Sequence, residues 1–172
     1  MSQIIITSPT SSGVTSLQYG SFYDTSNQFQ TIANNNLPIT FNTQDLNGGI
    51  DLPSPTQIQV HQDGIYNFTF SIQFVNSSVS DQDANVFLAI NGSYLTNSNS
   101  KLSIPSSHGG TDGHMIFTMN YFLELSAENF IEIYWNVSNT TVSIQTLPVI
   151  PLPPAGFTPQ TPSIIATINQ IS

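Results

Sequence analysis

IQVHQDGIYNFTFSIQF, residues 58–74, is the stretch that decides the fold. After the turn-forming pair Asp63-Gly64, the residues Tyr66, Phe68, Phe70, Ile72 and Phe74 alternate without a break with Asn67, Thr69, Ser71 and Gln73. A period of two sends the first set to one face of a β-strand and the second set to the other. A helix would scatter the rings around its axis. One apolar face of this kind needs a second layer to cover it.

The same period recurs on both sides. MIFTMNYFLEL (115–125) places Met115, Phe117, Met119, Tyr121, Leu123 and Leu125 on one side. Beyond the turn SAEN (126–129), Ile131, Ile133, Trp135 and Val137 alternate again, which reads as a strand–turn–strand hairpin. NVFLAINGSYLT (85–96) holds Asn91-Gly92 between two apolar runs, a hairpin signal because both residues tolerate positive φ. LPITFNT (37–43) leads to the turn-prone NGG at 47–49, TVSIQTL (141–147) is short, and SIIATINQI (163–171) is a β-branched strand. The segment 148–162 carries six prolines, cannot be a central strand, and reads as an exposed loop.

No helical period persists for three turns. Eight to ten short strands with polar turns predict an all-β antiparallel sandwich or jelly roll, one domain over residues 16–172. Residues 1–15, with Ile4–Ile6 ahead of a Ser/Thr/Pro/Gly stretch, read as an arm. It is either a frayed terminus or an anchor that pairs with a partner.

Composition narrows the function. Charged residues are 6 % of the 172, against about 25 % in ordinary domains, and net charge is −9. Lys101 is the one cation besides three histidines, so nucleic acid and anionic membranes are excluded as partners on charge grounds. AT-rich codon usage would explain 20 Ile and 17 Asn, but it would also raise Lys. With no Cys, stability rests on packing or assembly. The start, MSQIIITSPTSSG, lacks a basic region and a long apolar run, so it does not read as a signal peptide, and no stretch reaches a membrane span's length.

Five segments taken in order resemble the C1q/TNF-like jelly-roll superfamily. They are YGSFYDTSNQ (19–28), LPITFNTQDLNGGIDL (37–52), the Gly-x-Tyr-x-Phe signature at Gly64, Tyr66 and Phe68, VFLAINGSYL (86–95), and FLELSAENFIEIYW (122–135). The resemblance covers residues 19–172, and its style is that of C1q-like modules on viral and phage particles. It implies a jelly-roll homotrimer used as a structural or attachment part of a virion. The chain departs from many members in having no collagen-like stalk and no Cys.

Several side-chain sets suggest chemistry. HGGTDGH (108–114) gathers His108, Asp112 and His114 in a Gly-rich loop, a donor set suited to zinc or another transition metal, or else a plain surface turn. Asp81 and Asp83 offer oxygen ligands for calcium, or a solvated loop. Glu124, Glu128 and Glu132 resemble a glycosidase's carboxylates but surround a hairpin, two of them facing solvent on adjacent strands. No Ser lies in a G-x-S-x-G elbow. Sequons begin at Asn67, Asn76, Asn91, Asn136 and Asn139, a number that the abundance of Asn, Ser and Thr supplies by chance. The aromatics Tyr19, Phe22, Tyr23, Tyr66, Tyr121, Tyr134 and Trp135 serve either sugar stacking or, more simply, the core and subunit contacts.

The sequence therefore points to a non-enzymatic virion protein, a trimeric capsid decoration protein or head fibre joined to the particle by its arm. A receptor- or carbohydrate-binding module for host attachment, on a virion or extracellular, is the alternative. An enzyme built on a jelly roll is a distant third, for want of a convergent catalytic set.

Overall fold

The computed structural model of the chain describes residues 16–154 and 156–172, and the proposed arm at 1–15 lies outside the described residues. Every regular element among them is a strand. In chain order these are β1 (Tyr19–Asp24), β2 (Gln28–Phe29), β3 (Leu37–Pro38), β4 (Thr43–Gly48), β5 (Ile50–Ser54), β6 (Gln57–Val60), β7 (Gly64–Asn76) and β8 (Gln82–Ile90). Then follow β9 (Ser93–Tyr94), β10 (Ser100–Ile104), β11 (Gly113–Leu125), β12 (Phe130–Val137), β13 (Val142–Ile144), β14 (Ile150–Leu152), β15 (Gly156–Thr158) and β16 (Ile164–Gln170). Among the described residues no helix is long and apolar enough to cross a membrane.

The alternating segment is β7, the middle of the first sheet. Tyr66, Phe68, Phe70, Ile72 and Phe74 are each at most 2 % exposed, while the residues between them face outward. β11 pairs with β7 along its whole length, from Gly113 opposite Asn76 to Leu125 opposite Gly64. On its other edge β7 pairs first with β16 and then with the short β13. β7 and β11 are longer than the alternation alone suggested, at 13 residues each.

Eight principal strands, β1, β6, β7, β8, β10, β11, β12 and β16, fall into two antiparallel sheets. One runs β1-β16-β7-β11 and the other β6-β12-β8-β10. Counted along the chain, the first, eighth, third and sixth strands form one sheet, and the second, seventh, fourth and fifth the other. That is the jelly-roll order. The inner faces meet over a continuous apolar core in which Trp135 packs on Phe74 at 6.1 Å between ring centroids.

One connection differs from the sequence reading. The turn at 126–129 is not a hairpin: β11 lies in the first sheet and β12 in the second. Both strands carry one apolar face, and that pattern is met equally by pairing side by side or by facing across a core. The Asn91-Gly92 turn is the hairpin expected, with φ of +52° and +75° and Ile90 opposite Ser93. The proline-rich segment is exposed as predicted, and within it β14 and β15 pair as a small projecting ribbon.

Candidate functional site

Two of the residues singled out as metal ligands, Asp81 and Asp83, are engaged elsewhere. Asp81 Oδ1 accepts from the Ser106 amide at 2.8 Å, and Asp83 pairs with Lys101 at 2.8 Å. In HGGTDGH the backbones of His108 and Thr111 bond to each other at 2.8 and 3.0 Å around Gly109 and Gly110, whose φ values are +60° and +81°. These two glycines close a tight turn. Gly113 serves packing instead: a Cβ there would lie 1.9 Å from the Pro105 carbonyl oxygen. Among the described residues no three His, Asp or Glu side chains gather as a metal site.

The three glutamates also separate. Glu124 is exposed on β11, Glu128 occupies the turn, and Glu132 lies in the other sheet. Glu132 does not face open solvent, as expected from the sequence, but is only 6 % exposed. The sequon residue Asn76 is wholly buried. An open cleft of about 520 Å³ is lined by Asp24, Thr40, Asn42 and Pro55 among others. Asp24, 1 % exposed, spends its carboxylate there on the Ser26 amide and hydroxyl, Thr40 Oγ1 and Asn42 Nδ2. It holds the chain after β1 in place.

Two sheet faces and one ionic cluster remain. On the outer face of β1-β16-β7-β11 the outward side chains are polar or apolar, with Glu124 the one carboxylate, near one end of β11, and His114 near the other. Ile116 (65 %) and Phe122 (69 %) stand exposed there, together with Ile165 and Tyr19. Between them the amides of Asn120, Asn67 and Asn169 hydrogen-bond across three strands, at 2.6 and 3.4 Å.

On the outer face of the second sheet, β8 and β12 pair in register and stack three rows: Asn85 opposite Asn136, Phe87 opposite Tyr134, and Ala89 opposite Glu132. β9 brings Tyr94 opposite Ala89. Phe87 and Tyr134 are nearly parallel at 5.9 Å, and Tyr94 stands across both, at 5.0 and 5.1 Å. Burial raises the Tyr134 hydroxyl's pKa, and the Glu132 carboxylate raises it further. Tyr134 was among the aromatics flagged from the sequence; Phe87 and Tyr94 were not.

The ionic cluster joins residues far apart in sequence. His61 Nδ1 lies 2.8 Å from Glu128 Oε1, and its Nε2 lies 2.8 Å from Asp51 Oδ2. Two carboxylates on two ring nitrogens require both nitrogens to carry protons. Glu128 and then Asp51 therefore hold the His61 pKa above its ordinary 6.5, and His61 followed by Asn47 holds Asp51 below its ordinary 3.8. The His61 contribution to stability is complete below pH 6.5 and is lost as pH rises through the raised value. The Asp51 contribution is complete above pH 3.8 and is lost as pH falls through the lowered value. Wild-type Tm minus that of His61→Gln should thus be largest between those limits and shrink on either side. A flat difference from about pH 4 to about pH 9 would show the cluster to be unformed in solution.

No protein-family model matches the chain, and no curated protein sequence matches it.

Proposed function

We propose that the chain is a non-enzymatic structural protein of a virion, a homotrimer that decorates a capsid or forms a head fibre. The observation that carries this reading is the outer face of β1-β16-β7-β11. Its uncharged centre with exposed Ile116, Phe122 and Ile165 is the kind of surface that subunits cover. Its polar groups are already paired across the strands, so covering them strands few hydrogen bonds. A closed threefold arrangement uses one such patch from every copy. The threefold order itself and the virion setting come from the C1q/TNF-like resemblance, and residues 1–15 are the anchoring arm in this reading.

Light scattering should give three times the 18.7 kDa chain mass at micromolar concentration. Phe122→Glu combined with Ile116→Glu should reduce that mass to one chain without unfolding it, because both side chains are exposed. A wild-type chain that stays folded and monomeric overturns the assembly reading. Deletion of residues 2–13 should leave the trimer intact and abolish its incorporation into particles.

A further inference from the structure

We infer that the outer face of the second sheet is a binding site for neutral, hydroxyl-rich carbohydrate, centred on Phe87, Tyr94 and Tyr134. The inference goes beyond the assembly reading and stands on the opposite face of the sandwich, which points away from β1-β16-β7-β11.

Three features converge there. The first is the aromatic platform, with Tyr94 55 % exposed at its top. The C–H face of a pyranose is apolar and weakly positive, and it stacks on the negative face of such a ring.

The second is a chain of side-chain amides running one way along the platform. Asn99 Nδ2 donates to Asn85 Oδ1 at 3.1 Å, Asn85 to Asn136 at 2.9 Å, and Asn136 to Asn36 at 2.7 Å. Asn36 Nδ2 then donates to the Tyr94 hydroxyl at 3.4 Å. Each Nδ2 gives one of its two protons to this chain, so each amide is oriented and keeps a proton for a ligand. Sugar hydroxyls, which donate and accept together, match such groups.

The third is Glu132, in the row beside Tyr134. It is 94 % buried yet receives one long hydrogen bond, from Thr56 Oγ1 at 3.4 Å. The chain's one Lys is taken up by Asp83. The Glu132 carboxylate keeps acceptor capacity beyond the Thr56 bond, which a pair of sugar hydroxyls would fill.

Charge chooses among sugars. With Glu132 at the site and −9 on the chain, sialylated, sulfated or uronic-acid glycans are repelled. Neutral oligosaccharides of hexose or N-acetylhexosamine remain.

The test is an array carrying neutral gluco-, galacto-, manno- and N-acetylglucosamine oligosaccharides beside sialylated and sulfated ones, followed by calorimetry with the best neutral probe. Neutral glycans should be retained and anionic ones not. Tyr94→Ala should weaken binding about tenfold, since it removes one stacking ring. Glu132→Gln should also weaken it, whereas Phe122→Ala on the other sheet should leave it unchanged. Circular dichroism and Tm confirm that each variant is folded. The inference is overturned if no neutral glycan binds at millimolar sugar, if anionic glycans bind better, or if Tyr94→Ala binds as wild type. It is also overturned if Tyr94→Ala lowers the particle mass in light scattering, which would make this face a subunit contact. Failure of the trimer with retained glycan binding would reject the assembly reading alone.

Discussion

Phe70→Ala is expected to lower the free energy of unfolding by about 3–5 kcal/mol. Phe70 is 2 % exposed at the middle of β7, and its ring meets those of Phe68, Phe117 and Tyr121 at 5.7, 6.1 and 6.3 Å. Truncation removes the transfer free energy of the ring and leaves a cavity among side chains held by two long paired strands, which collapse poorly. Because whole domains are stable by about 5–15 kcal/mol, this one change removes a large share. Ser71, the next residue along, faces outward and accepts a hydrogen bond from Thr118 Oγ1 at 3.2 Å. Ser71→Ala should move stability by no more than about 0.5 kcal/mol in a dissociated chain. Urea unfolding of both variants at equal m-value makes the comparison. Equal losses at the two positions in a monomer would contradict the one-sided burial of β7.

Asn76→Leu should be of similar size, for a different reason. Asn76 ends β7 with no exposed surface, and its Nδ2 donates to the carbonyls of Ser80, Ile104 and Pro105 at 3.0, 3.3 and 3.1 Å. Its Oδ1 accepts from the Ser78 amide at 2.9 Å and from Thr141 Oγ1 at 3.3 Å. Leucine fills much the same volume but bonds to none of these. Each buried group left unpaired costs about 1–3 kcal/mol, so a total near 3 kcal/mol or more is expected. Asn76→Asp is the informative companion. It restores the acceptor but turns a carboxylate on three carbonyls, and it should be no more stable than leucine. Thermal unfolding that places either variant within a degree or two of wild type would remove Asn76 from its role as the joint between β7, β10 and the loop at 105.

The alternation in 64–76 and 115–125 was legible because a strand's pleat is a local property, set by the backbone of each successive residue. The Asn91-Gly92 turn was legible for the same kind of reason, since positive φ at both positions is a demand on those two residues alone. The candidate site was much less so. VFLAI (86–90) is an unbroken apolar run, so nothing in it says that Phe87 faces outward while Val86 and Leu88 face the core. Tyr134 and Trp135 are neighbours and both aromatic, yet one lies on the outer platform and the other is 1 % exposed. His61, Asp51 and Glu128 left no signal at all, because their meeting joins three separate turns and strand ends.

By itself, then, the chain's order of residues determined that it is all-β, where the long strands and tight turns fall, and that its net charge is −9 with a single Lys. Each of these depends on near neighbours in sequence or on a sum over the whole. Only the tertiary structure decided that β11 and β12 part into opposite sheets. Only it turned the HGGTDGH glycines into a turn and a packing contact, buried Glu132 beside three rings, and aligned five side chains from Asn99 to Tyr94. An apolar face states that it must be buried but not against what, and a polar side chain's role is set by the partners that distant strands bring to it.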